Sequence, residues 1–367
     1  MTTGWVVLGE GRRLRWGGDI RRHYILRPLV HLAEARNVGS WRADVLRAAL
    51  DEAGLERPRL ASVEFLDREA LDLATRRTRP MVVDFHDEPV AHASALGHTL
   101  PADRAVELGS LVESNLATFR DVICQSPEFV RLVGLDRQRT FIAPSGTDSR
   151  LIVPGPWPES PVVGMVSGAS PGRGIEALVD ACRLLRADLP ELRLWLALVG
   201  TTESGRQYLE GLAESLAAEP WITIEAVPYP QIGSRLAATS VLVIPHPAHP
   251  YWDAVLPIKM FDYLAAGRPV VATPRSATAS LLVGCAAGIV ADGDGPTNLA
   301  EAIGRLLEDD RLSRRMGAAG RTAAETTYDW SVIGRRLAND ILRREDRVRW
   351  LGNRVRVVGR RVVRRAS

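Results

Sequence analysis

The chain alternates short runs rich in β-branched residues with amphipathic helical segments, and it does so twice. In the first half the strand candidates are "WVVLG", "ASVEFL", "PMVVDF", "DVICQ" and "TFIAP". In the second half they are "VVGMVS", "LRLWLALVG", "ITIEA", "VLVIP", "PVVAT" and "GIVAD". This alternation is typical of parallel sheets covered by helices on both faces, so the sequence predicts an α/β fold.

A stretch without periodicity separates the two halves. "PSGTDSRLIVPGPWPESP" combines prolines and glycines and is predicted to be an interdomain linker near residues 145–160. The sequence therefore predicts two doubly wound, Rossmann-like domains in tandem. Ligands of such sheets bind beyond the carboxyl ends of the strands, which here means in the cleft between the domains.

The positive charge is concentrated at the carboxyl end. Of the 47 basic and 44 acidic residues, ten arginines and two acids lie in 343–367, which leaves 37 basic and 42 acidic residues elsewhere. A mildly acidic body argues against nucleic acid as a partner. The tail interleaves valines with arginines, which suits an anionic membrane surface or, equally, a disordered solubilising segment.

Two features of the sequence bear on where in the cell the protein resides, namely its first residues and its cysteines. Charges interrupt the first residues, so neither a signal peptide nor a membrane span is predicted. Three widely spaced cysteines have no metal-ligand spacing and suit buried thiols in a reducing compartment. We expect a cytoplasmic protein, peripheral on the inner face of the cell membrane if its tail binds lipid.

The stretch "VLPIKMFDYLAAGRPVVAT" contains Lys259, the only lysine of the chain. A helix is predicted to begin at Pro257 and to end at Gly267, which places Lys259 and Asp262 on one face near its N-terminus. A lysine at a helix N-terminus favours phosphate, and a nearby carboxylate could accept hydrogen bonds from a ribose. The alternative is a solvated ion pair between the two side chains.

The same stretch resembles the "P-x-K-x-x-E-Y-x-A-x-G-x-P-V-V-A" signature of family 4 glycosyltransferases. Asp262 stands at the position of the family's glutamate, which holds the ribose of the donor nucleotide. "VVGMVSGASPGRGIEALVDACRLL" is similar to the family's phosphate-binding strand–loop–helix, with matching residues at Gly168, Arg173 and Gly174. By the same resemblance Val227 and Tyr229 lie near the nucleotide base.

Looser matches occur in the first half. "GGDIRRHY" resembles a glycine-containing loop that faces the diphosphate and the acceptor, with Gly18 as the candidate donor contact. "VVDFHDEP" resembles a strand that ends in a histidine pointing into the cleft, which makes His86 a candidate catalytic residue together with Arg173 and Lys259. Its alternative role is to fix a loop through Asp84 or Asp87.

The resemblance implies the GT-B fold and a retaining transfer of sugar from a nucleotide-sugar co-substrate, with no cofactor and no catalytic metal. It implies an acceptor domain over 1–150, a donor domain over 151–327, and a helix over 328–345 that crosses back to the first domain. Residues 346–367 form the basic tail. We expect a glycan or lipid-linked acceptor in cell-envelope or exopolysaccharide synthesis.

The chain departs from the family pattern at the sugar end of the site. The first of the family's two acids is replaced by Ala254, and Asp253 is the candidate substitute, one position out of register. Ala169 stands where the phosphate motif often has arginine. Alternatives are a catalytically silent scaffold subunit, a nucleotide-sugar epimerase or a sugar-phosphate synthase on the same fold.

His246 and His249 have the spacing of metal ligands, but flanking prolines and the lack of a third ligand favour a role in shaping the donor-site entrance.

Overall fold

The computed structural model describes residues 4–8, 17–38, 42–54 and 57–363, and of residues 17–19, 53 and 347–363 it describes the backbone. Two sheets of six parallel strands are formed within these ranges. The strands of the first sheet are β1 (Trp5–Leu8), β2 (Arg36–Val38), β3 (Arg59–Ser62), β4 (Arg79–Asp84), β5 (Asp121–Cys124) and β6 (Thr140–Ile142). Those of the second are β7 (Val162–Gly168), β8 (Arg193–Val199), β9 (Ile222–Glu225), β10 (Val241–Ile244), β11 (Val270–Ala272) and β12 (Gly288–Val290).

Sixteen helices accompany the sheets in the described ranges. Those between the strands of the first sheet and after β5 are α1 (Gly17–Tyr24), α2 (Arg27–Leu32), α3 (Ala43–Ala53), α4 (Arg68–Arg77), α5 (Pro89–Ala95), α6 (Ala102–Thr118) and α7 (Pro127–Leu132). Those of the second half are α8 (Ile175–Leu185), α9 (Glu203–Ser215), α10 (Tyr229–Ala237), α11 (Pro250–Ala254), α12 (Ile258–Ala265), α13 (Ser276–Gly284), α14 (Pro296–Glu308), α15 (Asp310–Thr326) and α16 (Trp330–Val363).

The strand orders place the functional ends of both sheets. The first sheet runs β2-β1-β3-β4-β5-β6 and the second runs β12-β11-β10-β7-β8-β9. In the second sheet the direction of winding reverses between β7 and β10, and such a switch point leaves a crevice at the carboxyl ends of the two strands. This doubly wound α/β topology in two copies is the predicted fold class.

Helix α12 contains the lysine stretch and has well-defined ends. Pro257 precedes the helix with an extended ψ of 134°, and Gly267 follows it with φ of +67°, a conformation that glycine adopts without strain. Six of its eight residues are buried, including Tyr263, whose hydroxyl accepts a hydrogen bond from the Val166 amide of β7 at 2.7 Å. This packing fixes the helix N-terminus beside the end of β7.

Helix α16 returns from the second domain to the first. Gly334 lets it approach α2 closely, since a Cβ there would lie 2.8 Å from Pro28 Cγ. Farther along, Glu345 accepts from Arg59 and Arg120 at 2.8 and 2.9 Å. The helix continues to Val363, and its backbone passes through Gly352 and Gly359.

Candidate active site

A cleft of about 350 Å³ lies between the two sheets at their carboxyl ends. Its first-domain wall, as we call it, comes from the loops after β4, β5 and β6 and from α1, and consists of Ile20, His86, Asp87, His92, Gln125 and Ser145. Its second-domain wall includes Ser167, Gly168, Arg173, Val227, Tyr229, Trp252, Lys259 and Asp262. Most of the predicted site residues therefore meet in this interdomain cleft.

The turn after β7 positions Arg173 on the second-domain wall. Gly174, which follows it, has φ of +73° and opens α8, and a Cβ there would lie 1.8 Å from the Pro245 carbonyl oxygen. Only glycine fits such a close backbone approach. The Arg173 guanidinium lies 4.9 Å from the centre of the Trp252 ring, and its buried Nε has no hydrogen-bond partner among the described residues.

Lys259 projects from the first turn of α12 into the same part of the cleft. Its Nζ lies 3.4 Å from Ser167 Oγ, and within the described ranges no carboxylate pairs with it. Burial and then the charge of Arg173 hold the pKa of Lys259 well below its ordinary value. Asp87 and Asp262 line the same cavity, but neither cation forms an ion pair with any residue that the structure describes, an arrangement that an anionic ligand would stabilise.

Asp262 lies one turn deeper on α12 and is buried. Its Oδ1 accepts hydrogen bonds from Thr147 Oγ1 at 2.8 Å and from the Tyr229 hydroxyl at 3.5 Å. Burial raises the pKa of Asp262 to about 7, against the opposing effect of these two donors. The carboxyl group is therefore close to balance between its neutral and charged forms near neutral pH.

The first-domain wall contains a buried ionic network. Arg21 forms two hydrogen bonds with Asp84, at 2.8 and 2.7 Å, and both side chains are inaccessible to solvent. Asp84 Oδ2 also lies 3.2 Å from His86 Nδ1. Burial alone would lower the pKa of His86, but Asp84 outweighs it and raises that pKa above the ordinary value. The network holds the imidazole at the cleft surface.

Helix α11 inserts aromatic residues between the domains. The Tyr251 hydroxyl donates to Asp87, and the Tyr251 ring stacks on His92 with centroids 5.0 Å apart. Trp252 Nε1 donates to the Gly172 carbonyl oxygen at 3.1 Å. Both aromatic rings pack in the hydrophobic core of the first domain although their helix belongs to the second. The two walls are thereby held face to face.

Two predicted site residues, Gly174 and Asp253, do not line the interdomain cleft. Gly174 supports the Arg173 turn from behind. The backbone of Gly18 lies in the first turn of α1. Asp253 faces Arg275, 3.6 Å away, and accepts from the Ser276 amide. Ala254, at the position of the missing acid, is buried, and its carbonyl oxygen accepts from Ser126 Oγ across the domain interface.

The two histidines of "PHPAHP" have separate environments. His246 is buried and stacks on Trp252 with centroids 4.1 Å apart, and burial followed by the charge of Lys259 holds its pKa well below the ordinary value. His249 caps α11 by accepting from the Tyr251 amide at 3.1 Å. In the described part of the chain, no three His, Cys, Asp or Glu side chains are grouped as metal ligands.

Several site residues were not singled out from the sequence. Thr147 reaches Asp262 from the linker, 115 positions away, and Gln125 joins the domains by accepting from the Leu256 amide at 2.7 Å. Arg21 lies inside the quoted "GGDIRRHY", but nothing local distinguishes it from Arg22. These contacts depend on tertiary structure, and only the position of Trp252 beside "PHPAHP" offered a local signal.

Comparison with known proteins identifies the second half of the chain. Residues 160–309, which carry Arg173, Lys259 and Asp262, match the family model described as glycosyl transferases group 1. Residues 160–309 are a group 1 glycosyltransferase domain. The predicted family resemblance is thus confirmed for this domain.

Two curated relatives match the glycosyltransferase domain and the residues around it. A GDP-mannose-dependent monoacylated alpha-(1-6)-phosphatidylinositol monomannoside mannosyltransferase of Corynebacterium glutamicum is 30% identical over 190 residues, 51% of this chain and 48% of that protein. A D-inositol 3-phosphate glycosyltransferase of Paenarthrobacter aurescens is 24% identical over 223 residues, 56% of this chain and 52% of that protein. The chain spans about half the length of these relatives.

Solved glycosyltransferase structures share the whole architecture. Sucrose-phosphate synthase from Thermosynechococcus elongatus superposes with a TM-score of 0.73 at 14% identity, covering 94% of this chain and 100% of that one. Anabaena HepE in complex with UDP-glucose gives a TM-score of 0.65 at 17% identity, covering 92% and 99%. The glycosyltransferase domain therefore belongs to a GT-B fold, as the sequence predicted.

Proposed function

We propose that the protein transfers a sugar from a nucleotide-sugar donor bound to the second-domain wall onto an acceptor bound at the first-domain wall. The observation that carries this proposal is the pair Arg173 and Lys259, two cations that share the interdomain cleft without a carboxylate partner among the described residues. A nucleotide diphosphate supplies the missing negative charge. The group 1 glycosyltransferase domain and the names of its relatives support a transferase.

The chemical role of the two cations follows from where charge develops. Breaking the bond between the sugar and the diphosphate increases negative charge on the departing phosphate, and cations placed there stabilise the transition state more than the ground state. Bound diphosphate also favours the protonated form of Lys259, whose pKa is held well below its ordinary value by burial and by Arg173. We therefore propose that protein side chains supply the positive charge and that no metal is required.

Asp262 is proposed to hold the ribose. Its carboxylate already accepts from Thr147 and Tyr229, and ribose hydroxyls would add two donors that favour the charged form. Aspartate is one methylene shorter than the family's glutamate, and we propose that Tyr229 and Thr147 orient it rather than contact the base. Val227, which also lines the cleft, is the proposed contact for the base.

The reacting sugar is proposed to lie between Lys259 and His86. With Ala254 at the family's acid position and Asp253 directed to Arg275, the carboxylates that line the described cleft are Asp87 and Asp262. His86, held by Asp84, is proposed to hydrogen-bond the sugar or to accept the acceptor's proton. Because the sequence resembles family 4 glycosyltransferases, which retain the anomeric configuration of the sugar, we propose that this transfer also proceeds with retention.

The acceptor is proposed to be a glycan or a phosphorylated or lipid-linked polyol. The relatives named above act on phosphatidylinositol mannoside and inositol 3-phosphate, which supports this class. None of the helices in the described ranges has the length and apolarity needed to cross a bilayer. We propose surface attachment through residues 343–367, and equal flotation with anionic liposomes of the full chain and a chain ending at 342 would disprove it.

A thermal-shift screen with UDP-, GDP-, ADP- and dTDP-sugars tests the proposed function. The correct donor at a hundredfold excess over its Kd should stabilise the fold by about 2.7 kcal/mol. Lys259→Ala should remove most of that shift, whereas Asp253→Ala should keep it. No shift with any donor would contradict the proposal. Donor binding without transfer or hydrolysis would indicate the silent scaffold, and interconversion of the free donor would indicate an epimerase.

A further inference from the structure

A second cavity, which we call the hinge cleft, lies where the chain passes between the domains. It has a volume of about 420 Å³ and shares no lining residue with the interdomain cleft. Three separate segments form it: α2 with Arg27, the linker after β6 with Asp148 and Arg150, and the start of α16 with Asp329 and Arg335. Its size is sufficient to enclose a small organic ligand.

The charges of the hinge cleft are unevenly satisfied. Asp148 accepts from the Tyr24 hydroxyl at 3.0 Å and from two linker amides, and Asp329 accepts from Ser149 and Ser331. Arg27, Arg150 and Arg335 form no ion pair with any residue that the structure describes, although Arg27 Nη1 lies 3.2 Å from His23 Nε2.

Exposed arginines elsewhere in the described chain include paired ones, as Arg77 with Asp51, and ones without an ion pair, as Arg315. The hinge cleft differs in that three arginines and two aspartates line one cavity, which gives its charged side chains a formal excess of one positive charge.

The floor of the hinge cleft is rigid. The Tyr24 and Trp330 rings stack with centroids 5.7 Å apart and planes within 5°, and Trp330 is buried. The linker is held against the start of α16, because a Cβ on Gly146 would lie 2.6 Å from the Tyr328 carbonyl oxygen. A ligand would therefore meet a preformed surface and would lose little affinity to rearrangement of the protein.

We propose that the hinge cleft binds a small phosphorylated sugar or polyol. Guanidinium groups match phosphate oxygens in geometry and charge, so the phosphate would lie among Arg27, Arg150 and Arg335. Asp148 and Asp329 keep carboxylate oxygens that can accept from sugar hydroxyls, and an apolar anion would gain nothing from them. Because it is separate from the interdomain cleft, this ligand is neither the sugar donor nor the acceptor of the transfer reaction.

The test uses glucose 6-phosphate as the probe, in calorimetric titrations of the full chain at constant ionic strength. The variant Arg150→Gln/Arg335→Gln removes two cleft arginines. The matched control Arg315→Gln/Arg336→Gln removes two exposed arginines that do not line the cleft, so both proteins lose the same net charge. All four side chains are exposed, so we expect unchanged melting temperatures.

We expect the Kd for glucose 6-phosphate to rise at least tenfold in the cleft variant and less than twofold in the control. Glucose and inorganic phosphate should each bind at least tenfold more weakly than glucose 6-phosphate. The proposal is overturned by equal weakening in the two variants, by the absence of binding to the wild type, or by inorganic phosphate that binds as tightly as the sugar phosphate.

Discussion

The two walls of the interdomain cleft handle charge in opposite ways. On the first-domain wall every charged group has a partner: Arg21 pairs with Asp84, Asp84 approaches His86, and Asp87 accepts from Tyr251. On the second-domain wall Arg173 and Lys259 face the cavity, and neither forms an ion pair among the described residues although Asp262 lies on the same wall. Matched charges make a rigid support, whereas the unpaired cations are where we propose that a charged ligand binds.

Substitutions of paired and of unpaired charges should therefore affect different properties, namely the stability of the fold and the affinity for the ligand. Removing a matched charge leaves its partner buried and uncompensated, which destabilises the fold. Removing an unmatched cation relieves repulsion in the empty protein and weakens the ligand complex. Each of the following variants probes one side of this comparison.

Arg21→Met should have the largest effect on folding. It leaves the Asp84 carboxylate buried with His86 as its remaining charged neighbour, and breaking such a pair costs about 3–5 kcal/mol. Urea denaturation measures the loss. Arg22→Met is the matched control, since that neighbour pairs with Glu64 at a partly exposed site and should cost less than about 1 kcal/mol. Similar losses for both variants would contradict the buried network.

Lys259→Met should behave in the opposite way. The side chains have similar length, and the variant removes a cation that faces Arg173, so we expect the free energy of unfolding to stay the same or to rise. Donor affinity should fall about a hundredfold, equivalent to about 2.7 kcal/mol. Lys259→Arg should keep only part of the donor affinity, because the larger planar group must fit a space shaped for an ammonium. A lower free energy of unfolding for Lys259→Met than for the wild type would show that Lys259 stabilises the fold, as the paired charges do.

Asp262 should make donor binding depend on pH. Its pKa of about 7 means that below neutrality the empty protein carries a proton there, which must leave before the carboxylate can accept from the ribose. Donor affinity should therefore improve as the pH rises through 7. The ratio of wild-type affinity to that of Asp262→Asn should grow about tenfold from pH 6 to pH 8, because titration of Lys259 is common to both proteins. A constant ratio would exclude the proposed role.

Asp253→Ala should have the smallest effect on donor affinity. The carboxylate faces Arg275 outside the interdomain cleft, so we expect less than a twofold change in donor Kd. A tenfold loss would show that Asp253 substitutes for the missing acid by turning toward the sugar in the complex.

The sequence predicted best what depends on neighbouring residues. The spacing of Lys259 and Asp262 on α12 follows from local helix geometry, and Arg173 lies in the turn that Gly174 closes before α8. The side chains of Arg173, Lys259 and Asp262 all line the cleft, as the sequence predicted. All six strands of the second sheet were predicted. In the first sheet β2 was missed, because three residues with one buried side chain give little signal, and β3 lies two residues before the predicted run.

Contacts between distant segments could not be predicted from the sequence. Thr147 and Asp262 meet only when the linker crosses the second domain, and Tyr251 and Trp252 leave their own domain to pack in the other. The role of Tyr229 changed for the same reason, since its hydroxyl faces Asp262. Tail residues 364–367 and the side chains of 347–363 lie outside the described part of the chain, so the amphipathic face of the tail stays a prediction.

Arg173 and Lys259 are proposed to bind the diphosphate of the donor, and one titration series tests this directly. The Kd values of a nucleoside and of its diphosphate are measured for the wild type and for Lys259→Met, using the nucleotide found in the donor screen. We predict that the diphosphate improves affinity at least a hundredfold in the wild type and less than tenfold in the variant. An equal improvement in both proteins would contradict the account.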